Sequence, residues 1–208
     1  MKFYLSSFKF GDDLGKSLKA MMPANNKIGL INNARDYTNT DQERRIKNQT
    51  QEIEHLNRLG FQAELIDLKD YFHKETELRD KLNTLGSIFV SGGNTFVLRA
   101  AMRLSGFDTI LNELSTNPDF LYAGYSAGIC ILSKDLHYLH IVDQPYDYPF
   151  KEIQAPIWEG LGYFDYAFLP HYDSDHPETE DIGKSVDYCI NHKILFKALR
   201  DGEVIIIE

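Results

Sequence analysis

The residue best placed for covalent chemistry is Ser126, within Gly124-Tyr125-Ser126-Ala127-Gly128. A GxSxG run presents a nucleophile when it lies on a sharp turn between a strand and a helix. The flanks fit that setting: Phe120-Leu121-Tyr122-Ala123 is a short apolar run, and Ile129-Cys130-Ile131-Leu132 can begin a helix. Small residues on either side let the chain reverse. The hydroxyl then projects above a sheet, where the first amides of the helix can stabilise an oxyanion. A second glycine turn, Ser91-Gly92-Gly93-Asn94-Thr95, follows Ile88-Phe89-Val90 and opens another helix. Its amides can form the other half of such a hole. Its spacing is not that of a phosphate loop.

A serine nucleophile needs a base. The chain has seven histidines. His171 stands out because it follows Ala167-Phe168-Leu169-Pro170 directly, at a strand's carboxyl end, where open α/β sheets place their crevice. His176 is the second choice. His55 and His73 read as solvated, His137 and His140 as part of a hydrophobic patch, and His192 as near a helix end. The base in turn needs a carboxylate to fix its tautomer. Asp201, Asp143, Asp173 and Glu203 are candidates, and position alone does not choose among them. Nothing calls for a cofactor or metal: His171 and His176 with Asp173 and Asp175 read as part of a solvated acidic face.

The elements around these residues alternate. Strands are expected at Lys2–Ser6, Lys27–Asn32, Gln62–Leu68, Ser87–Ser91, Phe120–Tyr125, Leu136–Val142, Tyr166–Pro170, Ile194–Ala198 and Val204–Ile207. Thr40-Asp41-Gln42-Glu43 has the form of a capping box. Ile46, Ile53, Leu56 and Leu59 then mark a helical apolar stripe that stops at Gly60. Thr76–Leu85 and Thr95–Leu104 read as further helices. Such alternation gives a doubly wound, mainly parallel sheet with helices on both faces, built as a single domain over 1–208.

Composition narrows the function. The net charge of −9 argues against nucleic-acid and anionic-membrane partners. Two distant cysteines, Cys130 and Cys189, suit a reducing cytoplasm better than a disulfide scaffold. The short apolar start is not a signal-peptide core, and no run is long enough to span a bilayer.

Together, Gly92-Gly93-Asn94-Thr95-Phe96, Gly124-Tyr125-Ser126-Ala127-Gly128 and Leu169-Pro170-His171-Tyr172 resemble the peptidase E family of serine peptidases, which includes aspartyl dipeptidase and cyanophycinase. The resemblance runs over essentially the whole chain. It implies a fold akin to class I glutamine amidotransferases and a serine–histidine–carboxylate triad. It selects Asp201, where the family has a glutamate, and assigns the oxyanion hole to the amides of Gly93 and Ala127. Asn94, Tyr125 and Glu180 become the candidate substrate-contacting residues. The family's aspartate-recognising arginine is replaced by Glu180, and no arginine occurs between His171 and Leu199. The resemblance implies a short peptide substrate, and the active form is expected to be a monomer or homodimer. The rival expectations are an esterase or amidase on a non-peptide substrate, and a binding protein that kept the fold.

Overall fold

The computed structural model describes residues 1–208. Eight strands form: β1 (Lys2–Ser6), β2 (Lys27–Ile31), β3 (Gln62–Leu65), β4 (Ser87–Val90), β5 (Leu121–Tyr125), β6 (Ala167–Leu169), β7 (Phe196–Ala198) and β8 (Val204–Ile207). Six make one sheet in the order β3-β2-β4-β5-β1-β8, while β6 and β7 pair separately. Every pairing is parallel except that of β8 with β1. The helices are α1 (Lys16–Ala20), α2 (Gln42–Leu59), α3 (Glu75–Leu82), α4 (Thr95–Ser105), α5 (Phe107–Leu114), α6 (Ala127–Cys130) and α7 (Thr179–His192).

The central strands read as continuous apolar runs because both faces are covered. Phe3 and Leu5 of β1 enter the larger core, with α4, α5 and α6; Tyr4 enters the smaller one, with Leu18 of α1 and Leu56 of α2. Ile88 and Val90 of β4 divide from Phe89 in the same way. Period-two geometry therefore sends successive side chains to opposite layers.

Parallel register also gathers the site. Ser6 lies opposite Tyr125, and Val90 opposite Gly124, so β1, β4 and β5 end together. Ser7, Gly92 and Ser126 follow at that shared edge. In the small sheet Leu169 pairs with Ala198. His171 and Asp201 thus lie two and three residues beyond one paired position.

Several local expectations are corrected. Leu136–Val142 is not a strand. Asp135 Oδ1 accepts the His137 amide at 2.7 Å and starts a 3-10 turn at His137–Leu139. Leu136, Tyr138 and Leu139 still reach the core, but with turn spacing. The third strand stops at Leu65, because Asp67 accepts the Lys69 amide and opens a 3-10 turn, Leu68–Tyr71. Asp41, not Thr40, caps α2, accepting the Arg44 amide at 3.0 Å; Thr40 instead donates to the Arg35 carbonyl. Ile46 is 58% exposed, so the buried stripe of α2 centres on Leu56. The helix does end at Gly60, with φ 108°. The helix after the serine turn is a single turn, and α1 and α5 were not anticipated. No helix is long and apolar enough to cross a membrane.

Candidate active site

Ser126 occupies a strained turn between β5 and α6, with φ 50° and ψ −119°. Such a conformation costs of order 1–3 kcal/mol and persists only when its surroundings enforce it. The Ser126 amide donates to the Ser7 carbonyl at 3.2 Å, and the Cys130 amide returns to the Ser126 carbonyl at 3.0 Å. Gly128 lets α6 pack hard against β4: a Cβ there would stand 2.2 Å from the Val90 oxygen. The buried Tyr122 hydroxyl donates to the Gly128 carbonyl at 2.6 Å. Ala127 opens α6, so its amide lacks an intrahelical acceptor. Gly93, at φ 147°, passes so close to Ala34 that a Cβ would meet its carbonyl oxygen at 2.4 Å. Gly92, Gly93 and Ser126 line one cleft.

His171 lies on the same cleft, its side chain 2% exposed. Its backbone also has positive φ, at 62°. The Thr179 hydroxyl holds that backbone, donating to the His171 carbonyl at 2.7 Å. His171 Nδ1 donates to Asp201 Oδ1 at 2.7 Å, which leaves Nε2 as the proton-accepting nitrogen. No hydrogen bond joins the His171 ring to Ser126 in this resting arrangement; catalytic contacts often tighten only with substrate bound. Burial pushes the His171 pKa below its ordinary value; the neighbouring His176 adds to the fall, and Asp201 opposes it. His176 stacks on His171 with centroids 3.7 Å apart, and Phe8 meets His171 edge-on at 5.7 Å.

Asp201 is the candidate carboxylate that reaches the imidazole. Asp143 is half-buried, its carboxyl pushed up to about 6 by desolvation, and accepts the Thr95 amide at 2.8 Å. Asp173 pairs with Arg200 at the surface, and Glu203 accepts the Arg200 amide. The sequence reading missed Ser7. Its buried hydroxyl donates to Asp201 Oδ1 at 2.8 Å and accepts the His171 amide at 2.8 Å. The signal was the polar Ser6-Ser7 step ending the first strand, but nothing local says which partner it meets.

The three substrate-contact candidates separate. Tyr125 lines the cleft, but its hydroxyl is buried, donating to Glu52 at 2.6 Å beside Arg35. Asn94 is spent on structure: it caps α4 through the Phe96 and Val97 amides and donates to the Gln144 carbonyl. Glu180 faces solvent, 87% exposed, 3.4 Å from Lys184. The cleft residue on that segment is Glu178, whose Oε2 lies 3.9 Å from His171 Nε2. Burial and the negative charges of Asp143, Asp201 and Asp181 push Glu178 up to about 7.

The cleft encloses about 840 Å³. Arg44, Arg45 and Arg58 of α2 line it, together with Lys9 and Arg35. Cations therefore enter from α2 and from the segments at Lys9 and Arg35, although residues 172–181 carry no lysine or arginine. His55, expected to be solvated, also lines the cleft, stacked on Phe10 with Nε2 2.6 Å from the Leu14 carbonyl. His171, His176 and Glu178 bring ligand-type atoms within 4.8 Å of one another. His176 Nδ1, however, accepts the Glu178 amide at 3.3 Å. Its neutral ring then carries the proton on Nε2, leaving no lone pair there for a metal.

Comparison with known proteins identifies the family and the fold. The model of peptidase family S51 matches residues 17–208. An uncharacterized peptidase of Listeria monocytogenes is 33% identical over 159 residues, covering 72% of this chain and 73% of that one. A Drosophila melanogaster protein named "Probable alpha-aspartyl dipeptidase" is 29% identical over 136 residues, covering 62% of this chain and 53% of its own length. In fold, the chain is similar to a Listeria monocytogenes crystal structure provisionally assigned to peptidase E: TM-score 0.72, 24% identity, 100% of this chain and 98% of the other covered. A peptidase from an acI-B1 actinobacterium superposes with TM-score 0.69 at 15% identity, covering 100% of this chain and 83% of that one. The chain belongs to peptidase family S51 and is a peptidase hydrolase.

Proposed function

We propose that this peptidase cleaves short peptides by serine acyl transfer, with Ser126 as nucleophile, His171 as base and acid, and Asp201 as the orienting carboxylate. The observation that carries the reading is the pairing of a strained Ser126 turn with a His171–Asp201 contact of 2.7 Å on the same cleft. His171 Nε2 takes the Ser126 proton as Oγ bonds to the peptide carbonyl carbon. The amides of Gly93 and Ala127 hold the oxyanion, an interaction worth about 10²–10³ in rate per donor. His171 then gives its proton to the departing amine as the C–N bond breaks. Water attacks the acyl ester, losing a proton to His171. That proton returns to Ser126 Oγ as the acid product leaves.

Burial supports this cycle because it keeps His171 neutral and ready to accept a proton. The site is read as that of a dipeptidase-like enzyme, in line with the dipeptidase name of the Drosophila relative. An acidic substrate side chain would meet Arg44 and Arg58 across the cleft, because the segment after His171 presents Glu178 and Glu180 instead. The two buried, unpaired cysteines suit work in a reducing cytoplasm. A fluorophosphonate probe together with a dipeptide library tests the reading. Labelling of Ser126 and hydrolysis of dipeptides are expected; aryl-ester turnover without peptide turnover would move the substrate class.

A further inference from the structure

We propose that Glu178 is the subsite for the free α-ammonium group of the substrate, and so the residue that makes cleavage count from the N-terminus. The inference rests on Ser126 being the nucleophile. Glu178 stands just before α7, and its Oε2 is 3.9 Å from His171 Nε2, the nitrogen that exchanges protons with the reacting groups. The carboxylate therefore lies beside the nitrogen that faces the reacting groups, with part of its side chain open to the cleft.

It also lacks a cation of its own. Its one ion-pair contact is His171, which burial keeps neutral. Of the other cleft acids, Glu54 is exposed on α2 and two are engaged. Glu52 accepts from Arg35, Tyr125 and Ser91, and Asp41 caps α2. The arginines of the cleft come from α2 and the segment before it. Around Glu178 stand Asp143, Asp201 and Asp181, so the local field is negative and calls for a positive ligand. A metal would be one such ligand, but the Nε2 proton of His176 leaves that cluster without a second nitrogen donor.

The covalent geometry of a peptide fits the gap. The α-nitrogen of the first residue is separated from that residue's carbonyl carbon only by Cα. An ammonium held by Glu178 therefore brings the first carbonyl, and not the second, to His171 and Ser126. N-acetylation removes the charge and adds bulk at the same point. Losing a charge-assisted hydrogen bond at this half-exposed carboxylate costs about 10-fold or more in affinity.

The test compares Ala-p-nitroanilide with N-acetyl-Ala-p-nitroanilide, and a dipeptide with its acetylated form, on wild type and Glu178→Gln. The wild type should prefer the free amine by at least about 10-fold in kcat/KM. In Glu178→Gln that ratio should collapse towards one, chiefly through a raised KM for the free-amine substrate. If the variant keeps the wild-type ratio, the proposal is wrong. If kcat falls equally for both substrates, Glu178 acts on His171 and the proposal is again overturned. Fluorophosphonate labelling of the wild type separates the two levels: no label on Ser126 defeats the nucleophile reading, whereas labelling with an unchanged ratio in Glu178→Gln defeats only this one. Circular dichroism of the near-isosteric variant checks its fold.

Discussion

The Ser7 hydroxyl donates to the same carboxylate oxygen, Asp201 Oδ1, that receives the His171 ring proton, at 2.8 Å and 2.7 Å respectively. It also accepts the His171 backbone amide. One buried serine thus ties the end of β1 to both His171 and Asp201, while its own carbonyl receives the Ser126 amide. Ser7→Ala should leave the His171 amide and one Asp201 lone pair unpaired. The expected cost is about 1–3 kcal/mol of stability, seen as a lowered midpoint in urea. We expect kcat to fall about 10- to 100-fold with KM little changed, as for loss of a group that orients a ligand-holding histidine. Unchanged kcat would show that Asp201 alone positions the ring.

Asp201→Asn should keep the fold and lose activity. The amide cannot stabilise the imidazolium and favours the wrong tautomer, a loss of about 10⁴-fold in kcat. Pre-steady-state kinetics should show the acylation step slowed. Asp143→Asn should differ, because Asp143 serves the α4 N-terminus and not the base; a comparable loss there would reassign the carboxylate.

Much of this arrangement was legible in the sequence, and for local reasons. The serine turn, the glycine turn and the Leu169-Pro170-His171 step are written in consecutive residues and follow strands whose apolar runs are continuous. Asp201 was not legible locally. Its choice over Asp143 depends on the pairing of β6 with β7, a relation between segments about 30 residues apart, and only the family resemblance pointed to it beforehand. Ser7 was missed because its partners lie 164 and 194 residues away. The Leu136–Val142 strand failed because a 3-10 turn also sends apolar side chains into the core, and Asp135 Oδ1 takes the His137 amide at its start. Glu180 comes from the resemblance, as the position matching the family's arginine, yet it is Glu178, just before α7, that lines the cleft.

Gly93→Ala should damage both stability and catalysis. A Cβ would meet the Ala34 oxygen at 2.4 Å, and φ 147° is hostile to any other residue. A loss of about 2–4 kcal/mol is expected, lowering the melting temperature by about 5–15 °C for a chain of this size. Any soluble protein should retain less than about a hundredth of wild-type kcat, since the oxyanion amide moves.

The pH dependence should report two groups. The His171 pKa lies below 6.5, so its protonation limits kcat/KM only on the acid side of that value. Glu178 lies at about 7, facing His171, His176, Asp143, Asp181 and Asp201. Free-amine substrates should therefore lose kcat/KM below about pH 7, and Glu178→Gln should remove that limb and expose the lower one. Stability follows the same linkage. The folded state binds the Glu178 proton more tightly than the unfolded chain does, so stability is lost as pH rises from 4.5 through about 7. The variant should then be the more stable protein at pH 8, by about 1 kcal/mol once the 44% exposure of the side chain is allowed for. The gain should vanish near pH 4.5, as chemical denaturation at the two pH values can check.

The most direct measurement concerns Ser126 itself. Wild-type protein and Ser126→Ala should be treated with a fluorophosphonate, read by intact-mass and peptide mass spectrometry, and assayed in parallel on a dipeptide. The wild type should gain one adduct, on Ser126, and lose its turnover in step with labelling. Ser126→Ala should take up no adduct and hydrolyse at least about 10⁴-fold more slowly while melting as the wild type does. Wild-type hydrolysis by Ser126→Ala, or an adduct on another residue that stops turnover, would contradict the account.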